Sequence, residues 1–458
     1  MRISIENPEN FAAVFESVTK NKLHRPVSGL TTDSREVKSG DLYIALEGEK
    51  VNGHQFIADV EKLGAVAALV NKTSKEFKIQ QIRVDNPIFE IGKIANEWRS
   101  RFNIPVIGIT GSNGKTSTKE LLVHVLSDDF NVHATEGNFN THIGLPLTLF
   151  KMDLSHNISI LEMGASTSGE IEALCNIAMP THGLITNIAP AHLEGFGSIE
   201  NIAYEKAALF RSLESDGIAF FNKTDDMIND MQFKGKKITF GLTPDCDFPA
   251  DIYQEDDGTL TLILDANEIP TGSRNLSFIK NSIAVSAIAI TLGLSWDKLK
   301  TKLLSFNAPQ GRCNVRHLND ITIIDDTYNA NLSSSLAALE YLSAFSSEGR
   351  RIFVFGDMFE LGNTSNEQHR RVGERCSELG IDSVYTIGDY TKHTGSAIRN
   401  GVRYSHFNSK KSLIDSLKED IQAGDKILFK GSRGMAMEKV IEGVFDICLL
   451  YTSDAADE

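Results

Sequence analysis

Short apolar runs recur along the chain, closed by glycine or polar turn residues and separated by stretches whose apolar residues fall three or four apart. Near the N-terminus Asp41–Leu46 and Ala65–Val70 have the run pattern. Phe56–Leu63 has the helical one, with Phe56, Ile57, Val60 and Leu63 on one face and Gly64 as a stop. A second series begins at Ile104–Thr110 and continues at Ile158–Met163, Gly183–Ile188 and Ile218–Phe221. Such runs suit parallel strands buried on both faces, and the alternation with helical segments predicts a doubly wound sheet. Asp245–Glu268 is acidic and turn-rich, which suits a β excursion, and a helix over Asn281–Leu292 closes this unit. After Pro309-Gln310-Gly311-Arg312 a third series places strands at Ile321–Asp325, Ile352–Phe355, Ser383–Ile387 and Ile427–Phe429. Its helices fall at Ser333–Phe345, Asn366–Glu378 and about Met435–Leu449. The expectation is an α/β chain of three domains. A small mixed α/β N-terminal domain covers 1–102, a central doubly wound sheet 103–308 and a C-terminal Rossmann-like domain 309–450, with an acidic, disordered tail at 451–458.

The length of 458 residues suits about three domains. Lys and Arg total 46 against 61 Asp and Glu, a formal charge of −15 that argues against nucleic acid as a partner. One local basic pocket for phosphates remains compatible with that balance. Hydrophobic residues at 41% and charged ones at 23% exclude global disorder. Cys175, Cys246, Cys313, Cys376 and Cys448 are scattered and form no C-x-x-C pair. That excludes a disulfide scaffold and a zinc ribbon, and it suits a reducing compartment. Met1–Pro8 has no secretory pattern, and Ile283–Leu294, interrupted by Ser286 and Thr291, is too short to span a bilayer. A cytoplasmic monomer without membrane insertion is expected.

The strongest chemical signal is Gly108-Ile109-Thr110-Gly111-Ser112-Asn113-Gly114-Lys115-Thr116-Ser117, between a strand and a helix with Leu121, Leu122, Val125 and Leu126 on its apolar face. Ile109 stands where the full P-loop pattern wants its first glycine, with Thr110 after it, so the loop is a variant. The physics survives: Gly111 and Gly114 let backbone N–H groups turn toward an anion at a helix N-terminus. Lys115 can neutralise phosphates and Thr116 can ligate Mg²⁺, which makes the central sheet a P-loop-type one that binds ATP. The blander alternative is a glycine turn with a solvated lysine. Glu162 ends an apolar strand, where an acid can hold the same metal or simply cap a turn. His192 lies on a loop and Lys206 on a helix, and neither stands out by itself. Arg312 lies in the interdomain link, and Asp325-Asp326-Thr327-Tyr328-Asn329-Ala330-Asn331 forms a polar strand-end loop suited to a ribose or polar substrate. Lys430 and Arg433, after another strand, suit a carboxylate.

Taken together, Thr110–Thr116, Asn187–Glu194 and Asp325–Asn331 resemble the Mur ligase family of peptidoglycan synthesis. Gly356-Asp357-Met358, Glu360-Leu361-Gly362, His369 and Lys430-Gly431-Ser432-Arg433 resemble its branch that joins D-alanyl-D-alanine to UDP-N-acetylmuramoyl-tripeptide. Asp33-Ser34-Arg35, Gly40-Asp41-Leu42 and Gly53-His54-Gln55-Phe56 match as well, and the similarity runs in order to about Leu450. The resemblance implies that the N-terminal domain binds the UDP-sugar, the central one ATP and the C-terminal one the incoming dipeptide. It implies Thr116, Glu162 and His192 as Mg²⁺ ligands, with Lys206 as a carbamylated lysine. Asn281, or in another frame Asn275, would contact adenine, Arg312 the γ-phosphate and Asp326 the ribose. Ser34 and Arg35 would contact UDP, and Asn138, Asn140 and Thr141 the muramoyl peptide. Cys313 stands where the family often has glycine, Leu332 where it often has proline, and Ala207-Ala208 where Gly-Glu is usual. Another amino acid ligase of this kind, a folylpolyglutamate synthase, or a nucleotide-binding module without catalysis are the competing expectations.

Overall fold

The apolar runs become three sheets. The computed structural model describes residues 2–48, 51–346 and 348–447, which form sheets of five, nine and six strands in chain order. The expectations for Cys448, for the chain end near 450 and for the tail at 451–458 fall outside the described residues.

In the first sheet Gly29–Thr31, Asp41–Ile44, Ala67–Val70 and Gln80–Arg83 run parallel, and Arg2–Ser4 is antiparallel at one edge. The helix Pro87–Arg99 starts where the Asn86 side chain accepts from the N–H groups of Ile88 and Phe89, with Pro87 in the first turn. It lays Ile91, Ile94, Ala95 and Trp98 into one apolar core with Leu147, Leu149, Phe150 and Leu174 of the middle unit. Two hydrogen bonds seal that junction, from Trp98 Nε1 to the Met152 carbonyl at 3.2 Å and from Arg99 Nε to the Ala178 carbonyl at 3.0 Å.

The central sheet sets Val132–Ala134, Ile158–Glu162, Val106–Thr110, His182–Ile185, Ile218–Asn222 and Lys236–Gly241 side by side and parallel. Phe248–Gln254, Leu260–Leu264 and Asn267–Ser273 extend it as the expected β excursion. Val106–Thr110 has later strands on both sides, so the loop leaving Thr110 sits at the switch point where open α/β sheets bind ligands. In the third sheet Ile321–Asp326, Lys426–Lys430, Arg351–Gly356, Ser383–Ile387 and Arg403–Phe407 are parallel, and Asn314–Leu318 is an antiparallel edge. Separate apolar clusters cover its two faces, around Phe353, Phe355 and Val372 and around Leu413, Ile427 and Phe429.

Most element ends fall within a residue or two of expectation, and the larger differences have local causes. The helix expected at Asn281 begins at Leu276, because the Asn275 side chain accepts from the N–H groups of Ser277 and Phe278 and caps it. The strand expected to reach Ile188 ends at Ile185, since Thr186 and Asn187 turn to bond the glycine loop. The last helix is Glu438–Phe445, after a 3₁₀ turn at Arg433–Met435, and Asp446 at φ +52° ends it.

Candidate active site

The glycine loop is held from one side by the neighbouring strand end. Ser112 N–H donates to the Asn187 carbonyl at 2.9 Å, Asn113 N–H to Asn187 Oδ1 at 3.0 Å, and Thr186 Oγ1 to the Asn113 carbonyl at 2.6 Å. Gly111 sits at φ +148°, and a Cβ there would fall 1.9 Å from Thr186 Oγ1, so only glycine fits. Gly114, at φ +79°, starts the helix Lys115–Leu126, whose first-turn residues line a cavity of about 1130 Å³. Lys115 bends back to donate to the Gly111 carbonyl at 2.8 Å. Burial lowers its pKa; the Glu162 charge opposes that shift and Arg312 adds to it. Thr116 Oγ1 donates to Glu162 Oε1 at 3.1 Å, and Asn140 Nδ2 donates to the same oxygen at 2.9 Å. Glu162 Oε2 is buried without a hydrogen-bond partner.

Lys206 ends the helix Ile199–Lys206, is 2% exposed, and lies 5.9 Å from the centre of the Phe196 ring. Burial first, and then the charge of Lys115, push its pKa down to about 7. Its neighbour Glu205 is spent structurally, accepting from Gly169 N–H and Ile171 N–H at 2.7 Å each. His192, at φ +51°, meets Glu360 of the third unit through Nδ1 and Oε2. That hydrogen bond holds the Glu360 carboxyl below its usual range.

The third unit supplies the opposite wall. Arg312 stacks 3.8 Å from the Tyr328 ring centre and donates to Thr116 Oγ1 at 3.1 Å. Asn331 Nδ2 donates to Asn113 Oδ1 at 2.7 Å, so two elements of the third unit touch the glycine loop and its helix. Asp326 and Lys430 are register partners on adjacent strands and form an ion pair at 2.5 Å. Lys430, expected to take a substrate carboxylate, is thus occupied by the chain's own Asp326 and by the Asn329 carbonyl at 2.9 Å. Arg433 pairs with Glu438 at 3.2 Å and does not line the cavity, whereas Asn329 does. Asn138, Asn140, Thr141, Ser112, Asn113, Ser117 and Asn281 line it too, and Asn281 lies against Gly114. Asn275 also reaches the wall, but its side-chain Oδ1 is engaged as the helix cap. Ser34 and Arg35 lie elsewhere, on a 3₁₀ turn of the first unit. The Arg35 side chain is 83% exposed and pairs with Asp33 at 2.6 Å. Sequence reasoning gave no individual role to Glu360, Tyr328 or Asn331. Only Asn331 carried a local signal, its capping box with Ser334.

Comparison with known proteins bears on this arrangement. The Mur ligase middle domain model matches residues 109–289, the Mur ligase glutamate ligase domain model 311–433 and the Mur ligase family catalytic domain model 26–97. The chain is 36% identical to the UDP-N-acetylmuramoyl-tripeptide–D-alanyl-D-alanine ligase of Synechocystis over 432 residues, 93% of each chain. The chain belongs to the Mur ligase family. The enzyme of the same name from Escherichia coli is 34% identical, with 91% of this chain and 94% of that one aligned. MurF from Acinetobacter baumannii superposes with a TM-score of 0.87 at 27% identity, covering 95% and 98% of the two chains. The Thermotoga maritima MurF ligase in complex with ADP gives 0.81 at 30% identity, covering 91% and 97%.

Two of the departures from the Mur ligase pattern have local explanations. Cys313 sits at φ +53°, a conformation that favours the glycine common there. Leu332 is the first residue of the helix Leu332–Ser343, the position that favours proline. Whether the Mur ligase site suits Mg²⁺ can be judged from its donors. Among the described residues no three of His, Cys, Asp and Glu gather as a metal cage. Mg²⁺, however, commonly takes one or two carboxylates and completes its shell with water and phosphate oxygens. The orphaned Glu162 Oε2 and the Thr116 hydroxyl beside it fit that mode.

Proposed function

We propose that the chain joins D-alanyl-D-alanine to UDP-N-acetylmuramoyl-tripeptide at the expense of ATP, in peptidoglycan precursor synthesis. The observation that carries this reading is the cavity at which the glycine loop and Glu162 of the central unit face Arg312, Asp326 and Asn329 of the third. Relatives of that activity aligned over 93% of the chain, and an ADP-bound relative of the same fold, support it. The cytoplasm, where ATP is available, is the proposed site of action. The proposed domain limits are 1–102, 103–308 and 309–450.

The tripeptide carboxylate attacks the γ-phosphate of ATP, forming an acyl phosphate and releasing ADP. The amine of the dipeptide then attacks the acyl carbon and expels phosphate. Anions must meet in the first step, so Lys115, Arg312 and the N–H groups of residues 114–117 offset their repulsion. Gly111, Ser112, Asn113 and Ser117 shape the phosphate cradle, Asn281 faces adenine and Asp326 faces ribose. Asn138, Asn140 and Thr141 receive the muramoyl peptide, while Ser34 and Arg35 hold the distant UDP end. Asn329 flanks the dipeptide, and Lys430 orders the loop that carries Asn329 through its bonds to Asp326 and the Asn329 carbonyl. Arg433, paired with Glu438, lies beyond the cavity wall. Thr116, Glu162, His192 and a carbamylated Lys206 would hold Mg²⁺, which supplies charge neutralisation at the phosphates. Water would destroy an acyl phosphate, and contacts such as Arg312–Thr116 and Asn331–Asn113 bring the two walls together against it.

The test is phosphate release from ATP with UDP-N-acetylmuramoyl-tripeptide and either D-alanyl-D-alanine or single amino acids. Release that depends on the dipeptide is expected. Release with a single amino acid alone would replace this reading by that of another amino acid ligase.

A further inference from the structure

We propose that Glu360 is a positioning residue that sets the imidazole of His192 as the third unit closes on the central one. The proposal rests on the reading of His192 as a metal holder and adds the residue through which closure reaches it.

Two contacts cross the cleft at Glu360. His192 Nδ1 meets Glu360 Oε2, and Glu194 N–H donates to the Glu360 carbonyl at 3.3 Å. Both partners are non-glycine residues in the left-handed region, His192 at φ +51° and Glu360 at φ +60°. A side chain in that region costs on the order of 1–2 kcal/mol, and such conformations persist where the surroundings over-determine them. Here the surroundings do so. On the Glu360 side three consecutive residues are pinned. Asp357 accepts from the N–H groups of Asp389, Tyr390 and Thr391, Met358 N–H donates to His369 Nε2, and Phe359 N–H donates to Ser432 Oγ. Glu360 is therefore presented from a rigid edge of the third sheet, although its own side chain is 56% exposed.

A carboxylate on Nδ1 fixes the tautomer with the proton there and turns Nε2 into the nitrogen that can address a ligand. His192 and Glu360 both line the cavity that Glu162 also lines. The acid that orients His192 belongs to the unit proposed to bind the dipeptide, so the metal-holding geometry is complete only when that unit is seated. Closure and readiness of the phosphate site thereby become one event.

The experiment uses the full-length protein with Mn²⁺, AMP-PNP and UDP-N-acetylmuramoyl-tripeptide, read by the electron spin-echo signature of a ¹⁴N imidazole bound directly to Mn²⁺. The wild type should show that coupling and His192→Ala should lose it. Glu360→Ala should weaken Mn²⁺ binding by about 10–100-fold and diminish the coupling, the scale expected for removing a group that orients a ligand. Glu360→Gln keeps an acceptor oxygen for Nδ1–H and should stay within a few-fold of wild type by comparison. Thermal midpoints should be unchanged in both Glu360 variants. Wild-type coupling and affinity in Glu360→Ala, with the signal lost in His192→Ala, would overturn the role of Glu360 alone. A glutamine variant as impaired as the alanine one would overturn orientation by the hydrogen bond. Coupling retained in His192→Ala would overturn the reading of His192 itself.

Discussion

Lys206 and Lys115 lie close enough for the charge of Lys115 to act on Lys206, and burial disfavours the charge of each. With a pKa of about 7, a sizeable fraction of Lys206 is a neutral amine near neutral pH, the form that adds carbon dioxide. A carbamate would replace one repelling cation by an anion beside Lys115. Supply of ¹³C-bicarbonate should give a carbamate carbon resonance that Lys206→Ala removes, and activity after bicarbonate depletion should return on its addition. A flat response would remove the carbamate from the reading. The unmodified amine also predicts a slope in stability. Its pKa is 10.5 when unperturbed and about 7 in the fold, so between those values the unfolded chain binds more protons. Stability should therefore rise with pH across that window in bicarbonate-free buffer, with the full penalty present below pH 7. Lys206→Met should flatten the rise, as read by urea denaturation at several pH values. Lys115→Ala removes a positive group aimed at the phosphates and should cost about 3–4 kcal/mol in kcat/KM.

At the level of elements, the Gly356-Asp357-Met358 turn, one of the motifs that carry the resemblance to the Mur ligases, shows how such a motif can be architectural. The Asp357 carboxylate accepts three backbone N–H groups, at 2.7, 3.0 and 2.8 Å, where the helix Thr391–Ala397 begins. Asp357→Ala leaves those donors unpaired in a partly buried place and should cost about 2–3 kcal/mol in chemical denaturation. Asp357→Asn, which keeps one acceptor oxygen, should cost less. The strands visible from sequence were those buried on both faces, such as Ile158–Glu162 and Ser383–Ile387. Arg2–Ser4, Asn314–Leu318 and Arg403–Phe407 are edge strands, half open to solvent, and carry no apolar run. The phosphate cradle was legible because its chemistry is local, glycines and lysine within one turn. The Glu360 contact was not, since its partner lies 168 residues away and no spacing rule joins them. The pairing of Lys430, read as suited to a carboxylate, with Asp326 was hidden for the same reason: nothing in a one-dimensional pattern joins residues on neighbouring strands.

Across the whole molecule the two junctions between units differ in kind, and that difference is testable. The first is apolar: Trp98, 6% exposed, and Ile91 and Ile94 share a core with Phe150 and Leu174. Burying an aromatic or aliphatic side chain of this kind contributes roughly 1.5–3 kcal/mol, so cutting there opens a surface that water does not tolerate. The second junction is polar, made by Arg312 with Thr116, Asn331 with Asn113 and His192 with Glu360 around a cavity of about 1130 Å³. Contacts of that kind, close to solvent, hold two bodies weakly and allow them to part. A fragment of residues 1–308 should therefore stay soluble, melt cooperatively and keep the blue-shifted emission of a buried Trp98. A fragment beginning at 103 lacks Trp98 and leaves Leu147, Phe150 and Leu174 uncovered, and it should aggregate or bind a hydrophobic dye. In the full chain, ATP and tripeptide substrate should shrink the radius of gyration in small-angle scattering by moving the third unit alone. If the 103–458 fragment proved as soluble and cooperative as 1–308, the continuous apolar core would not be what welds the first two units.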